Sequence, residues 1–227
     1  MDKELWANVD HYIADLLVPS DKALDEALKA SAAAELPPIN VSVTQGKLLM
    51  LIAQIQGAKS ILEIGTLGGY STIWLARGLP SDGGHLVTLE VDAKHAQVAR
   101  ANIARAGFGD RVEVILGTAI DSLGQLQAKS RGPFDLIFID ADKASLPEYF
   151  QASLKLSRPG TVIIIDNVIR DGKVIDAAST DKDIRGVRRM NEMLAAEKRV
   201  SATAIQTVGS KGYDGFAMAL VGALEVI

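Results

Sequence analysis

The chain has 227 residues, of which 48% are hydrophobic and 23% charged, and it carries a net charge of -4 at pH 7. This composition fits one α/β domain over 1–227 and gives no bulk indication of nucleic-acid or membrane binding. Cysteine is absent, which excludes disulfides, thiolate metal sites and a cysteine nucleophile. The N-terminus lacks the apolar core of a signal peptide, and no apolar run reaches the roughly 18 residues of a membrane span. We therefore expect a cytoplasmic protein.

Helical patterns dominate the first 57 residues. Residues 3–36 predict two helices separated at Pro19, and a strongly apolar third helix is predicted from about Thr44 to Gln56. Such helices ahead of an α/β core can cover an active-site mouth, form a subunit contact or simply pack on the sheet edge, and the sequence leaves these alternatives open. The first helix carries its apolar residues on one face: Leu5, Val9, Ile13, Leu16 and Leu17.

From Ser60 onward, strand and helix patterns alternate, which predicts crossover units and a parallel sheet covered by helices on both faces. The predicted strands are 60–64, 85–90, 112–116, 134–139 and 161–165. The predicted helices between them are 71–79, 94–106, 119–128 and 146–156. A helix at about 183–197 precedes two more strands, 201–208 and 215–221, joined by a hairpin loop at 209–214. The fold class is therefore α/β, with a parallel sheet that ends in an antiparallel pair.

A glycine-rich turn, Gly65-Thr66-Leu67-Gly68-Gly69, joins the first strand to a helix that begins near Ser71. Glycine has no Cβ, so a ligand can come close to the backbone there. The start of the helix offers free N–H groups and the positive end of a dipole, which favour an anionic group. Glycine turns also occur in proteins that bind no ligand, so this turn alone leaves a nucleotide-type site undecided.

Acidic and amide side chains follow the other strands at the edge where open parallel sheets bind their ligands. Glu90 lies roughly 20 residues after the turn, where an acid accepts hydrogen bonds from ribose hydroxyls. Asp140, Asp166 and Asn167 are hard oxygen ligands of the kind that Mg²⁺ takes. Lys143 is a candidate general base, because a neighbouring cation disfavours the charged form of a lysine. Each residue alone has a simpler interpretation as a polar strand end or a surface lysine.

Together these residues resemble the cation-dependent O-methyltransferases that use S-adenosylmethionine, the group that contains catechol and caffeoyl-CoA O-methyltransferases. The matching motifs are EIGTLGGYST at 63–72, LEVD at 89–92, FIDADK at 138–143 and IIDNV at 164–168. The resemblance covers nearly the whole chain and is clearest from about residue 40. It implies a Rossmann-like, seven-stranded methyltransferase sheet, a homodimer and a small hydroxylated acceptor. The hydroxyl would lie beside a second oxygen, as in a catechol-like or hydroxycinnamoyl-type molecule.

The resemblance also implies roles for individual residues. The cation, which would be Mg²⁺ or else Ca²⁺ or Mn²⁺, would be held by Asp140, Asp166 and Asn167, with Lys143 as the base and Asp140 beside it. Glu63 would brace the glycine turn, Glu90 would bind the ribose and Ala119 would line the adenine pocket. The residues implied around S-adenosylmethionine are Val41, Glu63, Gly65, Thr66, Gly69, Ser71, Glu90, Ala119, Asp140 and Asp142.

The acceptor does not follow from the resemblance. Plant members have Trp-Asn where this chain has Arg170 and Asp171. Arg170 and Lys173 would suit an acidic or phosphate-bearing acceptor, although solvated surface charges are the simpler interpretation. A tRNA hydroxyuridine methyltransferase of the same family is one alternative function. A nicotinamide-dependent dehydrogenase is another, disfavoured by the glycine spacing, and a non-catalytic binding protein is a third.

Overall fold

A computed structural model of the protein describes residues 2–222. The helices are α1 (Lys3–Leu17), α2 (Lys22–Ala33), α3 (Val43–Gln56), α4 (Tyr70–Gly78), α5 (Ala93–Arg105), α6 (Ala119–Ala128), α7 (Leu146–Lys155) and α8 (Lys182–Ala196). The strands are β1 (Ser60–Ile64), β2 (His85–Glu90), β3 (Val112–Leu116), β4 (Phe134–Ile139), β5 (Ser157–Asp166), β6 (Val200–Gly209) and β7 (Gly212–Val221). A short 3-10 helix, Lys173–Ile175, lies between β5 and α8.

The strands form one seven-stranded sheet in the order β3-β2-β1-β4-β5-β7-β6. The first five are parallel, and β7 runs antiparallel to both β5 and β6. The predicted Rossmann-like sheet with a C-terminal antiparallel pair is confirmed. Alternate residues of each central strand enter different cores: Leu62 and Ile64 of β1 face one cluster, whereas Ile61 faces the other. Helices cover both faces, which explains why these strands read as continuous apolar runs.

The three strands after β4 differ from their predicted bounds, mainly at the start of β5 and at the hairpin loop between β6 and β7. β5 begins at Ser157 rather than at residue 161, and its pairing with β4 shifts register across Pro159-Gly160. Those two residue types weaken a strand pattern, so the bulged start was not predicted. The hairpin loop is also shorter than the predicted 209–214, because Gly209 pairs with Gly212 and leaves a two-residue tip.

The N-terminal helices differ in how they contact the sheet body. α2 and α3 pack against it; a Cβ at Gly46 of α3 would clash with the Trp74 ring of α4. α1 contacts α3 and β6, yet none of its residues is buried. The predicted apolar face of α1 is therefore exposed, including Leu16 at 63% and Leu17 at 67%. Between residues 2 and 222, no helix has the length and apolarity needed to cross a bilayer.

Candidate active site

A cavity of about 1260 Å³ opens at the carboxyl ends of β1, β2, β4 and β5. This is the edge at which an open α/β sheet binds ligands, and the volume is sufficient for a cofactor together with a small acceptor. The predicted site residues that line it are Val41, Gly65, Thr66, Ser71, Glu90, Ala119, Asp140, Asp142, Lys143, Asp166 and Asn167. Glu63 and Gly69 do not line it and lie behind its wall.

The glycine turn is shaped by close backbone approaches. Gly65 has φ 100°, and a Cβ there would clash with the carbonyl oxygen of Asp140 at the end of β4. Gly69, at φ 81°, is the N-cap of α4. Both positions lie in the left-handed region that favours glycine, and Gly65 also needs the absent side chain. The turn therefore brings β1, β4 and the start of α4 together under one end of the cavity.

Glu63 lies beneath this turn and is completely buried. Its carboxylate accepts hydrogen bonds of 2.5–2.7 Å from the hydroxyls of Ser71, Thr72 and Thr88. Burial raises the pKa of Glu63 to about 7, and the three hydroxyl donors oppose that shift. Because no part of Glu63 reaches the cavity, its geometry is that of a brace that joins β1 to α4 and β2.

Glu90, at the end of β2, connects the turn to the next loop. One carboxylate oxygen accepts from the Leu67 N–H at 2.7 Å, and the other accepts from the N–H groups of Val91 and Asp92 at 2.9 Å. His95 Nδ1 lies 3.7 Å from the latter oxygen. A carboxylate offers about four lone-pair sites, so one remains for a ligand in the cavity. Glu90 therefore both closes its strand and presents a fixed acceptor.

The carboxylates of Asp140 and Asp166 come from neighbouring strands β4 and β5. Lys143 Nζ donates to Asp140 at 2.8 Å. Asp166 accepts from Gln45 Nε2 at 2.8 Å and from the Asn167 N–H at 2.9 Å. Burial, and then the nearby charge of Asp140, raise the pKa of Asp166 well above its ordinary value. The fold thus gathers two mutually repelling carboxylates, one lysine and one amide at a single point.

This donor set fits a hard divalent cation. Two carboxylates and an amide oxygen match the ligands of Mg²⁺, which keeps further positions for waters or substrate oxygens. Asn167 adopts a left-handed backbone, with φ 60°, directly after Asp166. In the part of the chain that the structure describes, no group of three or more His, Cys, Asp or Glu side chains forms a metal cluster. A cation here would therefore depend on the amide as well as on the two carboxylates.

Two side chains that the sequence did not single out hold the predicted ones. Gln45 of α3 anchors Asp166, and Tyr149 of α7 donates its hydroxyl to Asp142. Burial of Asp142 opposes its ionisation, but the Tyr149 and Ser145 donors lower its pKa overall. Neither had a sequence signal: Gln45 lies in an apolar helical pattern, and its contact with Asp166 spans 121 positions.

The opposite end of the cavity is bounded by the segment after β5 and by the hairpin. Arg170 and Asp171 have left-handed backbones, with φ 56° and 55°. The Arg170 guanidinium lies 3.8 Å from Asp183 and 3.9 Å from Asp214, and its buried Nε has no hydrogen-bond partner among residues 2–222. Lys173 lines a separate cavity of about 100 Å³. Of the two basic residues that the sequence suggested for an acidic acceptor, Arg170 and Lys173, only Arg170 lines the main cavity.

A family model described as O-methyltransferase matches residues 15–219. The chain belongs to this O-methyltransferase family. The catechol O-methyltransferase of Niastella koreensis is 56% identical over 221 residues, which are 97% of this chain and 100% of that protein. The predicted family and enzyme class, an S-adenosylmethionine-dependent O-methyltransferase, are confirmed, and the dehydrogenase and non-catalytic alternatives are set aside.

Solved structures of other O-methyltransferases share the fold. The O-methyltransferase from Bacillus cereus, solved in complex with SAH, is 63% identical with a TM-score of 0.95, covering 96% of this chain and 99% of that one. TomG from Streptomyces achromogenes, an O-methyltransferase involved in tomaymycin synthesis and solved with SAM, is 50% identical with a TM-score of 0.94. That match covers 98% of this chain and 100% of TomG.

Proposed function

We propose that this O-methyltransferase methylates a hydroxyl that has a second oxygen on the neighbouring carbon, and that it requires a divalent cation. The observation that carries the proposal is the convergence of Asp140, Asp166 and Asn167 beside Lys143, on the same cavity as the glycine turn. Two ligand oxygens in vicinal positions match the open positions of an octahedral ion held by three protein ligands. The relative from Niastella koreensis is named a catechol O-methyltransferase, which supports a small catechol-like or hydroxycinnamoyl-type acceptor.

S-Adenosylmethionine supplies the methyl group, and its proposed site is the part of the cavity at the carboxyl ends of β1 and β2. The backbone at Gly65 and Thr66 and the hydroxyl of Ser71 would receive the methionine part. Glu90 would accept from the ribose hydroxyls with its remaining lone pair. Three further residues that line the cavity are proposed to contact the cofactor: Val41, Ala119 and Asp142. Relatives solved with SAH and SAM support a cofactor of this kind.

The proposed cation ligands are Asp140, Asp166 and Asn167. A bound divalent cation supplies charge that stabilises the ionised acceptor oxygen and fixes its orientation. It also fits the electrostatics of the free site, because two nearby carboxylates repel each other. Gln45 holds one oxygen of Asp166, which orients the carboxylate for binding.

In this proposal, Lys143 is the general base. Its Nζ accepts the proton of the reacting hydroxyl, whose oxygen then forms the new C–O bond as the sulfonium–carbon bond breaks. The Nζ of Lys143 donates to the Asp140 carboxylate at 2.8 Å, so the proposed base lies beside a residue that would hold the cation. The remaining contribution would be positioning, with acceptor and methyl donor bound at adjoining ends of one cavity.

A methyl-transfer screen tests the proposal. Vicinal diols, hydroxycinnamoyl thioesters and tRNA are offered with S-adenosylmethionine, each with Mg²⁺ and with excess EDTA. We expect turnover on vicinal diols with Mg²⁺ and none in EDTA. Full activity in EDTA, or equal rates on a mono-hydroxyl analogue, contradicts the cation mechanism. Turnover on tRNA alone would select the alternative function in the same family.

We also propose that the protein is a homodimer. Besides the face of α1, apolar side chains of α3 and β7 are exposed, including Ile55 at 86% and Leu220 at 48%. α1 contacts α3, and exposed apolar side chains on adjoining helices are typical of an interaction site. Symmetric dimers are the commonest oligomers. Light scattering at micromolar concentration should give a dimer mass that Leu16→Glu with Ile55→Glu reduces to a monomer; a wild-type monomer rejects the proposal.

A further inference from the structure

Three remote parts of the chain meet at the outer wall of the cavity, where the hairpin tip Ser210–Lys211 lies. The carboxylate of Asp10 in α1 accepts from the backbone N–H of Ser210 at 2.7 Å and from its hydroxyl at 2.9 Å. The ammonium of Lys211 donates to the carbonyl oxygen of Pro38 at 3.1 Å. Asp10, Pro38 and Lys211 all line the cavity that contains the proposed cation ligands. The tip is thus fixed in place over the acceptor end.

The charge at Lys211 is not balanced by the protein. Three lysine or arginine side chains line the cavity, and Lys143 and Arg170 both lie within 4 Å of carboxylates. Within residues 2–222, Lys211 forms no such ion pair, and its one hydrogen-bond partner is the neutral carbonyl of Pro38. Partial burial lowers the pKa of Lys211, and no carboxylate acts on it in the opposite direction. Two of its three ammonium donors remain for a ligand.

The strand register gives the distance along the hairpin from the Lys211 Cα to the level of Asp166, a proposed cation ligand. Phe216 of β7 pairs with Asp166, and Lys211 lies five residues before Phe216 along the hairpin. At about 3.3 Å per residue, its Cα lies about 16 Å along the strand from the level of Asp166. That length accommodates the lysine side chain and an aromatic ring with one short substituent. Apolar side chains for the ring, Ile39 and Leu48, line the same cavity.

We propose that Lys211 selects the acceptor by binding an anionic substituent, a carboxylate, on an aromatic vicinal diol. The inference rests on the proposed function, since the diol must occupy the cation end for its substituent to reach the hairpin. Lys211 is then a specificity-determining residue: it binds the far end of the acceptor and takes no part in methyl transfer. A charge-assisted hydrogen bond at this position favours an acidic acceptor over a neutral one of the same shape.

A purely structural role for Lys211 makes a different prediction. If its ammonium only ties the hairpin to Pro38, its loss affects every acceptor equally. The discriminating variant is Lys211→Met, which keeps the apolar stem and removes the charge. Lys211→Arg restores the charge. Lys173→Met is the matched control, because it removes a neighbouring lysine that lies outside the main cavity.

The experiment measures kcat and KM with Mg²⁺ for three acceptors of nearly equal size: 3,4-dihydroxybenzoate, 3,4-dihydroxybenzyl alcohol and 3,4-dihydroxybenzylamine. We expect the wild type to prefer the acid. Lys211→Met should lower kcat/KM for the acid about tenfold, mainly through KM, while leaving the alcohol within about twofold. Lys211→Arg should keep most of the preference, and Lys173→Met should keep all of it.

Several results overturn the assignment. Equal losses on acid and alcohol in Lys211→Met would show that the lysine is only a structural tie. A wild-type protein that prefers the alcohol or the amine refutes the role of Lys211 without any variant. The proposal therefore stays testable even if Lys211→Met does not fold. A wild type inactive on all three diols refutes the proposed function itself. Activity on all three without an acid preference refutes only the role of Lys211.

Discussion

The two ends of the cavity are built differently. At the proposed cofactor end, Glu63 and Glu90 each accept three hydrogen bonds from the protein itself. At the proposed acceptor end, within the described part of the chain, the buried Nε of Arg170 has no partner and the ammonium of Lys211 donates only to a neutral carbonyl. At a site that always binds the same ligand, hydrogen bonds within the protein already hold the polar side chains in place. A site that discriminates among acceptors keeps donors that the ligand must satisfy.

The two ends also differ in the number of non-glycine residues that have a left-handed backbone. The segment 167–171 at the proposed acceptor end contains three non-glycine residues with a left-handed backbone: Asn167, Arg170 and Asp171. Each such residue costs of order 1–3 kcal/mol and persists only where its surroundings hold it. Here the Asp214 carboxylate accepts from the N–H groups of Ile169 and Arg170. In the glycine turn, by comparison, two of the three left-handed positions, Gly65 and Gly69, are glycine and carry little strain, and Leu67, with φ 48°, is the third.

The largest expected effect is a loss of turnover that leaves cofactor affinity unchanged. Asp166→Ala should lower turnover by roughly 10³-fold or more, because the proposed cation loses a charged ligand. S-Adenosylmethionine affinity, measured by calorimetry, should stay close to that of the wild type. A variant that loses both properties together would show that the ends are not independent.

The next effect concerns the brace beneath the cofactor end. The pKa of Glu63 is about 7 in the folded chain and 4.5 ordinarily, so the folded state binds more protons between these values. Its contribution to stability is therefore full below pH 4.5 and is lost as pH rises through 7, by up to roughly 3 kcal/mol.

Glu63→Gln removes this titration. Urea unfolding of the ligand-free protein between pH 4.5 and 8 should show the variant gaining stability relative to the wild type as pH rises. The lost acceptor for one hydroxyl lowers the variant's stability at every pH, so only the slope is diagnostic. Parallel curves for the two proteins would contradict the raised pKa.

A smaller effect is expected from Glu90, the acid that we propose accepts from the ribose hydroxyls. Glu90→Ala removes a charged acceptor and leaves the backbone N–H groups of Leu67, Val91 and Asp92 without it, so cofactor affinity should fall by about 1.5–3 kcal/mol. Glu113→Ala, which changes an exposed acid on β3 outside the cavity, is the matched control. Unchanged affinity in Glu90→Ala, measured by calorimetry, would remove Glu90 from the ribose site.

The smallest effect tests the side chain behind the proposed cation ligand. Gln45→Ala removes the hydrogen bond that orients Asp166, so the Mg²⁺ concentration for half-maximal activity should rise about tenfold. Gln54→Ala, on an exposed position of the same helix, should leave it unchanged. An identical Mg²⁺ requirement in Gln45→Ala and the wild type would show that Asp166 needs no such support.

The sequence predicted the cofactor end far better than the acceptor end. Strands β1 to β4 have the predicted boundaries, since their apolar runs and flanking turn residues are local signals. The predicted site residues line the cavity, apart from Glu63 and Gly69, which lie behind it. In contrast, the contacts Gln45–Asp166, Asp10–Ser210 and Lys211–Pro38 each span more than a hundred positions. Only the folded chain brings such residues together.

The antiparallel course of β7 has a consequence for how substrate choice can change. The hairpin returns the chain to the catalytic edge without a crossover helix, and its tip pairs with no neighbouring strand. A longer or different tip therefore extends outward without breaking a ladder hydrogen bond, and surface loops tolerate such insertions. If Lys211 selects the acceptor as proposed, exchanging the tip would change the acceptor preference and leave the proposed methyl-donor site unchanged. The two properties can diverge separately during evolution.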